Sequence, residues 1–200
     1  GAMYPDFIRI NHEWWRIITA GFLHFGAVHL VNNMVILYCM GSRLERVTGH
    51  LKFFLIYLVS LIGAGLLSYG MMLRTGDYAV SAGASGAIFG VIGGFLWIVI
   101  LHRGRFEQIT TWGIMMMIVL TIYYGFSSAG IDNWGHIGGL LAGFAAQLAA
   151  LCARPGSELA GPWLGGAALL LLQAGLLKIN RPRLRKCLPL IWLGLMLCLL

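Results

Sequence analysis

Residues Val80 to Gly94 read V-S-A-G-A-S-G-A-I-F-G-V-I-G-G, and this stretch decides how the chain folds. It opens an apolar segment with a hydroxyl residue, Ser85, between small neighbours, and continues with Gly86, Gly90 and Gly94 at four-residue spacing. On a helix that spacing stacks the glycines on one face, so that a neighbouring helix can come close. Ser85 falls in the first turn, where backbone N–H groups have no intrahelical partner and the helix dipole favours negative charge. A hydroxyl nucleophile whose intermediate carries an oxyanion needs such surroundings. Read alone, the stretch fits packing better than catalysis, because small-xxx-small patterns in membrane helices commonly include serine.

Composition fixes the class around it. With 59% hydrophobic and 10% charged residues and a mean hydropathy of +0.82, a 200-residue chain cannot hide its apolar surface as a soluble domain. The expected fold is all-α, a polytopic transmembrane helical bundle. The net charge of +7 does not point to nucleic acid, because the basic residues lie in short segments between apolar runs and read as topology determinants. Cys39, Cys152, Cys187 and Cys198 lie in or beside apolar spans with no C-x-x-C pair, and read as small buried hydrophobes. Gly1 stands where an initiator Met would, and no signal-peptide pattern precedes the polar opening, so the chain reads as a fragment.

Residues 1–26 mix polar residues, aromatics and Pro5 around Glu13-Trp14-Trp15-Arg16, an interfacial loop whose indoles and guanidinium suit the headgroup layer. Five apolar runs follow in a core over 27–152: Ala27 to Ser42, Leu51 to Leu73, Ser85 to Leu101, Thr111 to Ser127 and Trp134 to Cys152. Each spans or nearly spans the hydrocarbon, which takes roughly 20 residues. Arg43, Arg46 and Lys52, then Arg103 and Arg105, then Arg154, mark the cytoplasmic connectors; Arg74 with Asp77, and Asp132, mark the others. The first, third and fifth runs therefore start outside and end inside. Residues 153–200 form an apolar and basic extension with one or two further membrane segments.

Codirectional helices place their first turns at one depth, and the unusual polar residues sit there: His29 and Asn33, Ser85, and His136. Polar groups in hydrocarbon normally face a bundle interior or a wet cavity, so a shared cavity is expected. His136 lies in N-W-G-H-I-G-G-L-L-A-G-F, with Gly139 and Gly143 four apart and able to meet the glycines of the Ser85 helix. Its imidazole could reach Ser85 as general base; alone, it also reads as a buried histidine bonded to a carbonyl. His29 and Asn33 share a helical face at i and i+4 and can donate toward one point, as an oxyanion hole requires, or act as interhelical glue. Asn32 stays open, although only Asn33 keeps the four-residue register. Phe89, i+4 from Ser85, supports an imidazole or packs in the core. Met115 to Met117 read as adaptable packing, and Glu45 as a solvated or interfacial ion-pair partner. A zinc site on His24, His29 and His136 is disfavoured by the absence of H-E-x-x-H, of Asp or Glu in the candidate turns, and of helical register between His24 and His29.

Together these pieces resemble the rhomboid family of intramembrane serine proteases: W-W-R at Trp14 to Arg16, H-F-G-A-V-H-L-V-N-N at His24 to Asn33, G-S-R-L-E at Gly41 to Glu45, G-A-S-G at Gly83 to Gly86 and G-H-I-G-G at Gly135 to Gly139. The order and spacing cover Glu13 to Phe144 and are far more specific than any single piece. The resemblance implies Ser85 as nucleophile and His136 as base, a dyad without a third carboxylate, and the lack of a suitable Asp or Glu near the three turns agrees. It implies His29, Asn33 and the Ser85 N–H in the oxyanion hole, Phe89 against His136, and Arg16 as a structural residue of a membrane-embedded loop. Gly83, Gly86 and His24 belong to the same motifs as supporting residues. The family core has six spans, one of them before the W-R loop, and this chain starts just after it. Gly135 stands where the family often has Ala, and the tail after Arg154 matches nothing.

The expected function is hydrolysis of peptide bonds in transmembrane proteins at the outer edge of a bilayer, in a bacterial cell membrane, with no cofactor, metal or nucleic acid. Substrate helices must unwind locally to expose a carbonyl, so small or helix-breaking residues near the membrane surface are the expected cleavage points. One rival is a catalytically inactive relative that binds membrane clients, which usually lacks the serine or histidine. The other is a transporter or channel, which calls for inverted repeats that this sequence does not show. Natural substrates and oligomeric state are not legible.

Overall fold

The computed structural model describes residues 1–127 and 130–152; the expected extension over 153–200 lies outside the described residues. The chain opens with helix α1 (Pro5–Arg9), helix α2 (Arg16–Thr19) and a 3-10 turn, Ala20–Phe22. Proline at the first position of α1 suits a site whose N–H would go unpaired. Met3, Ile8, Ile17 and Ala20 close over Met72 to form a small core of their own, flanked by Tyr69 and Tyr78. Met3 exchanges both main-chain hydrogen bonds with Ser81, at 2.9 and 3.0 Å. The opening segment is thus laid alongside the loop that leads into Ser85.

Helix α3 (Ala27–Ile36) continues through a π turn, Leu37–Gly41, into α4 (Ser42–Thr48). Hydropathy ends this run at Ser42, but the backbone carries on through α4, where the Ser42 and Thr48 hydroxyls turn back on carbonyls one turn earlier, Tyr38 and Leu44, and so leave no unpaired hydroxyl. Helix α5 (His50–Thr75) has 26 residues, and α6 (Ser85–Leu101) and α7 (Thr111–Ser127) have 17 each. Strands β1 (Arg105–Phe106) and β2 (Ile109–Thr110) form an antiparallel hairpin between α6 and α7, and α8 (Asn133–Cys152) closes the described chain. Among the described residues α5 alone is long and apolar enough to cross a bilayer as one straight helix; Arg16–Phe22 and Ala27–Thr48 meet the same test as a pair bent by 92°.

Helices α5, α6 and α8 make the centre of the bundle. A β-carbon at Gly139 would overlap the Gly86 carbonyl, and one at Gly143 the Gly90 carbonyl, so α6 and α8 touch backbone to backbone. Helix α5 fits the same seam with small residues: Ser60 against Gly90, Ala64 against Gly86, and Gly63 against Gly138 and Ala142. In lipid there is no hydrophobic gain from pressing apolar side chains together, and close approach of this kind supplies dispersion contact instead. Around the seam Ile56, Leu61, Ile88, Val91, Phe95 and Ile98 fill the interior with Leu44.

One detail departs from the sequence reading, and another gains its partner. Cys39 is a free thiol exposed on the outward side of the π turn, not a buried hydrophobe. Glu45 pairs with His50 at 2.5 Å, whereas its sequence neighbours Arg43 and Arg46 both reach Glu107 of the hairpin at 3.4 Å. Residues three apart share a helical face and residues one apart do not, which sends the two arginines one way and the glutamate another.

Candidate active site

The first turns of α3, α6 and α8 lie together at one end of the bundle. Ser85 is the first residue of α6, following Ala84 as N-cap. His136 is in the first turn of α8, which starts at Asn133 because Asp132 caps it: Asp132 Oδ1 accepts the Gly135 N–H at 2.8 Å and the Asp132 carbonyl accepts the His136 N–H at 3.1 Å. The glycine seam between α6 and α8 brings these two turns side by side. His136 Nε2 and Ser85 Oγ stand 2.9 Å apart, within hydrogen-bond reach although the residues are 51 positions apart in sequence.

The imidazole is held by packing. Its ring stacks on Phe89, centroids 4.4 Å apart and planes 9° off parallel. His136 is buried, and its Nδ1 finds no hydrogen-bond partner in the protein. The arrangement is a serine and a histidine without a carboxylate on the far nitrogen. A carboxylate is nonetheless close by. Sequence reasoning left the three turns without Asp or Glu, but Asp132 sits at the head of α8, where its oxygens are taken by Ser68, Ser81 and Gly135. The signal available in the sequence was Asp132 just ahead of the apolar run that begins at Trp134, an N-cap residue type at a helix start.

Gly83 forms the floor on the α3 side. Its φ of +141° is a conformation that side chains rarely adopt, and a β-carbon there would lie 2.8 Å from His29 Cε1 and 3.0 Å from His29 Nε2. The bare α-carbon lets His29 and Asn33 approach the loop that enters Ser85. Asn33 is 5% exposed, and its Nδ2 is a buried donor with no acceptor. It lines an apolar cavity together with Ser85, Ile88, Phe89, Met117 and Ile118. An unpaired amide donor in an apolar cavity beside a serine hydroxyl is costly unless something there accepts from it.

The remaining expected residues are distributed around this centre. His24 lies in the loop before α3, with its ring edge-on to His29 at 5.1 Å, and its Nε2 takes a long hydrogen bond of 3.4 Å from the Ala84 N–H. Gly86 belongs to the seam. Arg16 is remote from Ser85: it pairs with Glu13 at 2.5 Å, donates to the Ala2 carbonyl at 2.8 Å and covers the Phe7 ring at 4.3 Å. It holds the opening segment folded while Trp14 and Trp15 stay exposed. Among the described residues no three His, Cys, Asp or Glu side chains gather as a metal ligand set.

Comparison with known proteins places this geometry in a family context. The Rhomboid domain model matches residues 11–153. The chain is 39% identical over 162 residues to rhomboid protease GluP of Bacillus subtilis (strain 168), covering 81% of this chain and 31% of that protein. It is 35% identical over 133 residues to RHOMBOID-like protein 4 of Arabidopsis thaliana, covering 66% of this chain and 33% of that one. To Rhomboid-like protease 3 of Toxoplasma gondii it is 37% identical over 152 residues, covering 72% and 54%. The chain thus spans about a third of the length of the first two of these relatives.

Proposed function

The chain belongs to the rhomboid family, whose members are polytopic helical proteins of membranes, and from that premise we propose that it is an intramembrane serine endopeptidase acting on other membrane-spanning proteins. The observation that carries the reading is the 2.9 Å approach of Ser85 Oγ to His136 Nε2. In this mechanism Ser85 Oγ attacks a scissile carbonyl carbon as His136 Nε2 takes the hydroxyl proton. The carbonyl oxygen becomes an oxyanion facing the Ser85 N–H at the head of α6, with Asn33 Nδ2 and His29 as side-chain donors. Collapse breaks the C–N bond, and the proton on His136 passes to the leaving amine. A water then attacks the acyl ester by the reverse sequence, regenerating the hydroxyl and releasing the acid.

The stack on Phe89 replaces the orienting carboxylate of a triad. It fixes the ring plane but supplies no charge to the imidazolium, so efficiency rests on placement. The cavity lined by Asn33, Ile88, Met117 and Ile118 would receive an apolar side chain flanking the scissile bond. A helical substrate presents hydrogen-bonded carbonyls, so it must open locally, and small or helix-breaking residues lower that cost. By the arginine distribution this end of the bundle faces away from the cytoplasm, at the outer leaflet of the membrane.

The test is twofold. A fluorophosphonate should label Ser85 in the membrane-reconstituted protein, and a single-span reporter should be cut near its outer end. Labelling at full rate in His136→Ala, or undiminished reporter cleavage in Ser85→Ala, would refute the pair.

A further inference from the structure

Three segments, two of which lead into the proposed catalytic pair, meet at one carboxylate. Asp132 Oδ2 accepts the Ser68 hydroxyl of α5 at 2.5 Å and the Ser81 hydroxyl, in the loop before Ser85, at 2.6 Å. Its Oδ1 holds the Gly135 N–H, and its own carbonyl holds the N–H of His136. We propose that Asp132 is a positioning residue for the proposed reaction: its carboxylate, gripped by Ser68 and Ser81, sets the first turn of α8 so that the His136 ring meets the Ser85 hydroxyl. The inference rests on the reading of Ser85 and His136 as a working pair; the Asp132 carboxylate bonds Ser68, Ser81 and Gly135, and His136 Nδ1 has no hydrogen-bond partner among the described residues.

An N-cap alone does not explain this arrangement. Capping needs one side-chain oxygen on one N–H, and Oδ1 supplies it. The second oxygen is spent on two hydroxyls from segments 64 and 51 residues away in sequence, one of them four positions before the nucleophile. The glycine seam fixes how closely α6 and α8 run, but bare backbones in contact can slide and rotate. Asp132 removes that freedom at the end where the chemistry sits, because Ser81 and Gly135 are clamped to the two oxygens of one planar group. The tie also runs outward. Ser81 exchanges main-chain bonds with Met3, and Arg16 grips the Ala2 carbonyl, so the folded opening segment is hydrogen-bonded through Ser81 to the head of α8. Misplacing a reacting group by about 1 Å can cost on the order of 100-fold in rate.

The experiment measures turnover per active site, with sites counted by fluorophosphonate titration to completion, for the protein in liposomes cutting a fluorescent single-span reporter. Asp132→Ala is expected to lower kcat per titrated site by about 10- to 100-fold with KM within about twofold of wild type. Asp132→Asn should recover most of that loss, because an amide oxygen still accepts from Gly135 and the serine hydroxyls can turn to pair with the amide. A purely structural role would instead reduce the number of titratable sites and leave turnover at each surviving site unchanged, and that result overturns the inference. An Asn variant as slow as the Ala variant overturns it too, because charge and not placement would then be at work. Should Asp132→Ala yield no titratable protein, Ser68→Ala and Ser81→Ala each loosen one grip: a fall in kcat per site supports the inference and an unchanged kcat defeats it. Ser85→Ala separates the two levels of argument. If it still cuts, the catalytic reading and this inference fall together; if it is dead while Asp132→Ala runs at full speed per site, the inference alone falls.

Discussion

Helices α6 and α7 are equal in length, 17 residues each, and both are strongly apolar, yet α6 buries twelve of its residues and α7 only Ile114, Ile118 and Gly125. Hydrophobicity alone, although α6 is the more apolar of the two, does not decide which helix goes inside when the surroundings are themselves apolar. Small residues at helical spacing do. Gly86, Gly90, Gly93 and Gly94 let α6 press against α8 and α5, whereas α7 carries Trp112, Met115, Met116, Val119, Leu120, Tyr123 and Tyr124 outward and rests along one line of contact. The proposed nucleophile rides on the clamped helix, and one wall of the cavity beside it belongs to the loosely seated one. The proposed reacting atoms and this wall of the cavity thus belong to different helices.

That division can be broken by substitution, and the largest effect should come from the clamped side. Ser85→Ala or His136→Ala should lower reporter cleavage by at least about 10⁴-fold with no loss of thermal stability; residual cleavage at a tenth of wild type would detach the chemistry from the clamped pair α6 and α8. Next, Asn33→Ala removes the unpaired donor beside Ser85 and should reduce kcat by about 10²- to 10³-fold with little change in KM; a rise in KM alone would make Asn33 a binding residue. Third in size is Gly143→Ala, which drives a methyl into the Gly90 carbonyl and should cost about 1–3 kcal/mol in a thermal or denaturant melt of the reconstituted protein. Val119→Ala on the outward face of α7 is its control and should leave the melt unchanged; equal effects at both positions would erase the contrast. The smallest effect belongs to the cavity wall. Ile118→Ala should shift the preferred side chain next to the cut toward larger residues by about tenfold in relative kcat/KM, read by mass spectrometry of products from a substrate panel.

Much of this was legible along the chain. The four-residue glycine spacings on two segments predicted the close contact of α6 and α8, and the apolar runs Ser85 to Leu101, Thr111 to Ser127 and Trp134 to Cys152 match the bounds of α6, α7 and α8 to within a residue. Ser85, His136, His29 and Asn33 stood out because polar groups are expensive in hydrocarbon. What stayed hidden depends on pairings remote in sequence. Ser60, Gly63 and Ala64 gave no sign that α5 completes the seam, because small residues in one apolar helix do not say which neighbour they face. Asp132 read as a connector charge, since its partners Ser68 and Ser81 are ordinary hydroxyls until the fold brings them to it. Glu107 likewise gave no hint that it collects Arg43 and Arg46, being 61 residues from Arg46.

Where one polypeptide backbone lies directly on another, as at Gly90 and Gly143, no side chain is left through which a change could be absorbed. Drift at such a place has nowhere to go, whereas the outward residues of α7 can be exchanged among oily neighbours indefinitely. A saturation library screened only for folded protein should therefore draw a thin ladder of forbidden positions, four apart, along α6 and α8. In that record, made without reference to any reaction, the seam would be the most legible line in the molecule.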